Sequence, residues 1–402
     1  MKIVLNKIEK RVTENSVRIL CLIETENASP YTIWYEVQKD FGMYLCDDRA
    51  DAFLVGLLPY FMAHSSIDNN TEIILKTPIS EKLYYQLTTY YIPVLASSTK
   101  LFKPVKIIAD ISSKKQSSVM RGGGGYVGAG VSGGVDSFYT LLKHQDTKTP
   151  HYNITHGVYF NTGMFGGFDG SGEQKLLNSS KEICNELSID FISISSNIFI
   201  DVYRMIHEAI ISPVFISFVL AVQDLFCNYY ISSSYKFNEF AIKDYSSAKY
   251  DLLNIYCFST ESISFHSSGG EVSRIEKVAF INNFDLPKKK LTVCPGNSMF
   301  NTKFVNCSKC GKCSRTILEM EALGILDDFK DVFDIEYFKK HKNYYYGYLF
   351  FKGKKHIFTD EIFSCYEKRG KRFGILPRLC GIAKIIKNGF RRSNPLEKTY
   401  KP

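Results

Sequence analysis

The stretch that most restricts the fold runs from Tyr126 to His144 and reads YVGAGVSGGVDSFYTLLKH. Small and β-branched residues, Val127-Gly128-Ala129-Gly130-Val131, predict a strand, and the amphipathic run from Phe138 predicts a helix. Between them lies Ser132-Gly133-Gly134-Val135-Asp136-Ser137. A strand, a glycine turn and a helix N-terminus make an anion site, because successive backbone N–H groups form a nest. The first helical turn adds unsatisfied donors and the positive end of the helix dipole. Gly133 and Gly134 lack a Cβ, so both are expected at positive φ, close to a ligand. Ser132 and Ser137 add hydroxyl donors, and Asp136 is placed to contact a metal or a ligand group beside the phosphates. No G-x-x-x-x-G-K-[ST] occurs, so the turn is not of the Walker type. The plain alternative is an ordinary Gly-Gly turn.

A second cluster is Cys307-Ser-Lys-Cys310-Gly-Lys-Cys313, preceded by Cys294. Four soft ligands at this spacing suit a tetrahedral Zn²⁺ that ties a hairpin to the following helix. Gly311 permits the knuckle turn, and Lys309 and Lys312 favour thiolate over thiol. With all four positions filled the site is closed, which reads as structural. An iron–sulfur cluster, or one thiol acting as a sulfur carrier, remains the alternative. Cys365 and Cys380 read as bystanders. Eleven cysteines behind an N-terminus, MKIVLNKIEK, without an apolar signal region predict thiols and metal ligands in a cytoplasmic protein. The longest apolar stretch, Ala209 to Val222, is broken by Ser212, Pro213 and Ser217 and predicts a core helix, not a membrane span.

The 402 residues suffice for two domains and an appendage. Residues 1–118 predict an N-terminal α/β domain: strands Val17–Glu24, Thr32–Val37, Glu72–Lys76 and Val105–Ala109, and a helix from Asp48 or Arg49 that Pro59 should kink or split. Residues 81–96 read as mostly helical. In this part His64, Trp34 and Tyr35 read as structural. The Ser- and Gly-rich run 111–125 predicts a linker, with a lid over a nucleotide as the alternative. Residues 119–330 predict alternating strands and helices: strands Tyr152–Phe160, Phe191–Ser195 and Tyr229–Ser233, helices Glu173–Leu187, Asp201–Ile211 and Ser217–Phe226. Such alternation implies a doubly wound parallel sheet with right-handed crossovers. The glycine-rich loop 163–172, His156, Asn197 and the Ser232–Tyr235 segment fall near strand ends, where such sheets bind ligands. Arg274 and Lys277 are candidates to stabilise charge on a phosphate, or else are ordinary helix ion pairs. Residues 331–402 form a basic, aromatic-rich tail. It predicts a β-hairpin turning near Gly353 and a basic amphipathic helix over Cys380–Phe390, suited to peripheral contact with an anionic membrane or to RNA phosphates, or to packing on the rest of the chain. The net charge of +9 permits such partners without requiring them.

Ser132–Ser137 matches SGGxDS, the signature of the PP-loop ATP pyrophosphatases, adenine nucleotide alpha hydrolase-like proteins. Together with Cys294, Cys307, Cys310 and Cys313 it resembles the 7-cyano-7-deazaguanine synthase family over roughly residues 126–325. The resemblance implies that Ser132, Gly133, Gly134, Val135, Asp136 and Ser137 bind ATP phosphates, that Mg²⁺ bridges those phosphates near Asp136, and that the four cysteines bind Zn²⁺ in a small C-terminal knuckle. It implies a ligase-like enzyme that adenylates a carboxylate, releases pyrophosphate and lets a nitrogen nucleophile form a C–N bond, with Asp136, Arg274 and Lys277 as catalytic candidates. The acceptor would be a small or macromolecular carboxylate, a protein partner included. The N-terminal segment of over 110 residues and the tail depart from that family, which leaves the substrate unassigned. Two other readings stand beside it: a sulfur transferase modifying tRNA, and a non-catalytic ATP-binding accessory protein.

Overall fold

The computed structural model describes residues 1–26, 28–65, 71–112, 125–204, 208–294, 304–352, 357–380 and 382. The expected linker or lid, the tip of the expected hairpin and most of the expected Cys380–Phe390 helix lie outside them.

Thirteen strands are described: β1 (Lys2–Leu5), β2 (Glu9–Val12), β3 (Ser16–Thr25), β4 (Ala28–Gln38), β5 (Glu72–Leu75), β6 (Ile79–Ser80), β7 (Lys106–Ile108), β8 (Ile111–Ser112), β9 (Tyr126–Gly130), β10 (His156–Asn161), β11 (Asp190–Ser196), β12 (Phe226–Ser232) and β13 (Ser264–Ser268). Eleven of them share one sheet in the order β13-β12-β9-β10-β11-β4-β3-β1-β5-β7, with β2 also paired to β3. The strands β13, β12, β9, β10 and β11 are mutually parallel, and the order reverses direction at β9. β4 then joins β11 antiparallel, with Val37 opposite Ile194 and Tyr35 opposite Ser196. The protein is therefore α/β with a mostly parallel central sheet. No helix among the described residues is long and apolar enough to cross a membrane.

This continuous sheet groups the chain differently from the expected 1–118, 119–330 and 331–402. Residues 1–272 form one compact unit and residues 273–402 a second. The reason lies in the core. Helix α1 (Asp51–His64), from the first hundred residues, buries eleven of its fourteen residues. One of its main partners is α6 (Ile211–Leu220), which comes after the Ser132–Ser137 turn. Tyr35 Oη and Ser217 Oγ are hydrogen-bonded at 2.8 Å, and Tyr203 Oη donates to the Gly56 carbonyl. Ile19, Tyr35, Phe53, Leu57, Ile194, Phe218 and Phe226, from both sides of the expected boundary, belong to one buried cluster. Pro59 sits inside α1 without ending it.

Short helices α2 (Glu81–Gln86) and α3 (Ile92–Ser98) flank a π-helical turn at Leu87–Tyr91, so 81–96 is helical as expected. Helix α4 (Val135–Lys143) follows β9, α5 (Ser171–Glu186) follows β10, and α7 (Asp251–Phe258) precedes β13. The helix expected over Asp201–Ile211 is not seen in the described residues of that span. A π-helical turn at Phe199–Tyr203 ends at Arg204, whose φ of 57° breaks the run, and α6 starts only at Ile211. Nor does helix continue to Phe226: α6 ends at Leu220 and Phe226 opens β12.

The second unit is helical in its described residues: α8 (Arg274–Ile281), α9 (Asp285–Lys290), α10 (Gly311–Leu323), α11 (Ile335–Lys340), α12 (Lys342–Lys352) and α13 (Ile357–Lys368). The first strand of the expected β-hairpin is instead α12. Its tyrosines suit a strand by propensity, but Tyr345 and Leu349, four apart and both fully buried, supply a helical face, and packing overrides propensity.

Candidate functional site

At the C-terminal end of β9 the chain leaves the sheet through Val131, whose N–H still donates to the Val158 carbonyl of β10 (2.8 Å). Gly133 takes φ 68°, a conformation that favours glycine, whereas Gly134 is extended (φ −79°, ψ 170°) and caps α4. Only one of the two expected positive-φ glycines is thus needed for that reason. Ser137 Oγ donates to the Gly130 carbonyl (2.7 Å) and accepts from the Ser132 N–H (3.2 Å), so its hydroxyl staples the turn together instead of facing a ligand. Ser132 Oγ accepts from the Gly134 N–H (3.3 Å). The Gly133 and Val135 N–H groups have no acceptor among the described residues. Ser132 is exposed and Asp136 half-buried in the first turn of α4. The result is a nest with two free donors, a helix N-terminus behind it and a carboxylate alongside, at the strand where the sheet order reverses. This is where open α/β sheets bind ligands.

The adjoining loop after β10 is glycine-rich as expected, with Gly163, Gly166 and Gly167 all at positive φ. Sequence reading missed its anchor, Glu173. This carboxylate is fully buried in α5, is hydrogen-bonded by Tyr159 Oη, and accepts from Thr162 Oγ1 (3.4 Å) and the Phe165 N–H (3.3 Å). Burial pushes its pKa up, and these donors oppose that shift. The signal available was an acidic residue three positions into a helix that begins Ser171-Gly172. Asn161 braces the same loop by donating to the Phe168 carbonyl (3.0 Å).

Of the other expected contacts, His156 starts β10 at the opposite sheet edge, buried beside Tyr126 and Thr155. Asn197 does follow β11 at the ligand edge, but it is occupied: its side chain accepts from the Trp34 N–H and donates to the Thr32 carbonyl and Asp201. Within Ser232–Tyr235, Ser233 Oγ donates to the Tyr235 carbonyl. Glu271 is held by Tyr139 Oη (2.8 Å) and Lys143. Arg274 and Lys277 lie in α8 of the second unit, and both are buried. Arg274 Nε is 3.3 Å from Glu319 Oε1, and Ser273 with Glu276 closes a capping box, so this segment is built as a capped, ion-paired helix start. A buried guanidinium set against a carboxylate is not poised to take up phosphate charge.

The cysteines come together as expected. The four Sγ atoms of Cys294, Cys307, Cys310 and Cys313 all lie within 4.8 Å of one another, and three of the separations are 3.4, 3.6 and 3.7 Å. Ligands about 2.3 Å from one tetrahedral ion are separated by about 3.8 Å, so one ion such as zinc fits. A multi-iron cluster distributes its thiolates over separate irons and would spread them farther apart. Ser308 turns at φ 59°, the Lys309 and Cys310 N–H groups point at Cys307 Sγ, and the Cys313 N–H points at Cys310 Sγ. Asn306 accepts from the Val293 and Cys294 N–H groups and donates to the Leu291 and Val332 carbonyls, pinning the two cysteine-bearing segments together. Hydrogen bonding from Cys313 holds the Cys310 thiol well below the usual thiol range, while burial pushes the Cys294 thiol up. Thiols this close cannot all ionise without a central cation, which is the role a dication fills.

Comparison with models of protein families, with curated proteins and with solved structures finds no match.

Proposed function

We propose that the protein is a PP-loop ATP pyrophosphatase with a doubly wound nucleotide-binding sheet, a ligase-like enzyme that adenylates an acceptor carboxylate. The observation that carries this reading is the Ser132–Ser137 turn, stapled by Ser137, with free N–H donors at Gly133 and Val135 where the strand order reverses. ATP supplies the activated phosphorus. The chain's own part is to bind the pyrophosphate portion in the nest and to offset its charge with the α4 dipole. Asp136 would hold Mg²⁺ beside the phosphates. The acceptor's carboxylate oxygen attacks the α-phosphorus, pyrophosphate leaves, and a nitrogen nucleophile then displaces AMP to give an amide-type bond. Positioning and charge stabilisation account for most of such catalysis, so no histidine or cysteine base is assigned. Arg274 and Lys277 are not given a catalytic part. The four-cysteine cluster is read as a structural zinc site.

The test is pyrophosphate release from Mg·ATP across a panel of carboxylates with ammonium or amines, wild type beside Asp136→Ala. Release that depends on one acceptor and drops at least a hundredfold in the variant supports the reading. ATP bound with no release under any acceptor, protein acceptors included, would leave the accessory-protein reading in its place.

A further inference from the structure

On β3 and β4 side chains alternate: Val17, Ile19, Cys21, Ile33 and Tyr35 enter the core, while Leu20, Leu22 and Trp34 face outward. That outer face carries a groove of about 900 Å³ running from β2 and Lys7, across β3 and β4, to Asn197 at the end of β11. Leu20, Leu22 and Trp34 line it, Leu22 being 40% exposed. Lys7, Arg11 and Lys76 stand on its rim with Glu9. Arg11 pairs with Glu9 at 2.8 Å, which leaves Lys7 and Lys76, both exposed and without an acidic partner among the described residues. The groove is therefore a mixed trough, Leu20, Leu22 and Trp34 beside Asn6, Thr32 and Asn197, whose rim carries more positive than negative groups.

We propose that this groove docks an extended acidic segment of a partner protein. The segment crosses the strands, with Leu20 and Leu22 of β3 side by side beneath it. From β2 to β11 the groove crosses three strand spacings, about 14 Å, enough for roughly four extended residues. Acidic side chains of the segment meet Lys7 and Lys76, and its apolar ones meet the leucines. A single-stranded nucleic acid fits less well. Base stacking needs an open ring face, but the Trp34 ring carries the Arg18 guanidinium at 4.0 Å and packs against Phe168 at 4.9 Å. Arg18 is itself held by Glu36. The inference depends on neither ATP chemistry nor the metal.

Trp34 is the only tryptophan of the chain, so its emission reports this groove directly. The full-length protein is titrated with three probes: a short peptide alternating Glu and Leu, its Lys and Leu counterpart, and oligothymidylate. The expected result is a saturable change with the acidic peptide alone, weakened by salt. Lys7→Glu combined with Lys76→Glu, at two exposed positions, should weaken it at least tenfold with the circular dichroism unchanged. An emission change with oligothymidylate and not with the acidic peptide would overturn the proposal in favour of nucleic acid. A change that tracks protein concentration alone, with dimer seen in sedimentation, would assign the face to a second copy. No response to any probe would also overturn it.

Discussion

Ser137 shows how one hydroxyl can hold the shape of a turn from within. Its hydroxyl joins the Gly130 carbonyl to the Ser132 N–H across the mouth of the turn. Ser137→Ala leaves both groups without that partner. It should cost about 1–2 kcal/mol of stability in urea unfolding. It should also weaken ATP binding more than a comparable buried Ser→Ala elsewhere, such as Ser217→Ala, because the free donors at Gly133 and Val135 lose their fixed spacing. The six-residue signature was legible because it is local: turn, cap and first helical turn are set by neighbours in sequence. What each residue does within it was not. Ser137 and Gly134 looked like ligand contacts, and one proves to be a staple and the other an extended cap. Glu173 escaped notice because only the fold brings Tyr159, Thr162 and Phe165 around it.

Single helices and strands tell a similar story. The start of α7 places Asp251 in a buried position, where Asn254 Nδ2 donates to it at 3.1 Å. Burial pushes its carboxyl from 3.8 up to about 7, with hydrogen bonds from Ser212 and Asn254 opposing the shift. Below pH 3.8 the group is protonated in folded and unfolded chains alike. As pH rises toward 7 the unfolded chain releases the proton first, so this contribution to stability is lost across that window. The whole shift corresponds to about 4 kcal/mol at most. Asp251→Asn lacks the titration. Urea midpoints of wild type and variant should therefore diverge between about pH 4 and pH 8, with the wild type weakening relative to the variant. Parallel pH profiles would show that the group is not titrating. Strands such as β3 and β4 were legible because their side chains alternate between core and outer face. Within the expected Asp201–Ile211 helix, the left-handed turn at Arg204 was not legible, because an apolar pattern does not reveal it. The hairpin at α12 was misread because aromatic β-propensity hid a buried pair four residues apart.

Across the molecule, the two compact units should respond differently to loss of metal. Purified protein should carry one zinc per chain by elemental analysis, and Cys310→Ser should carry none. Chelation or that substitution should unfold α10 and its neighbours at lower temperature, because metal binding free energy is folding free energy at such a site. Amide exchange would show the loss of protection confined largely to residues 273–380. Visible absorbance with acid-labile sulfide would point instead to an iron–sulfur cluster. The cysteines were legible as a set because C-x2-C-x2-C is a local spacing with one distant partner. The division into units was not, since it depends on a strand pair far apart in sequence, and the fourteen residues of α1 gave no hint that α6 would cover the same core.

That strand pair also bears on how the chain is made. Val37 waits for Ile194, 157 positions later, before β4 can complete its ladder. During synthesis the first hundred residues emerge with β4 as a bare edge, a template for wrong pairing, until β11 has left the ribosome. Closing so long a loop is entropically slow, so the sheet's antiparallel seam is a late event in folding. A cell that makes this protein in quantity would do best to shield its amino-terminal half while the rest is translated.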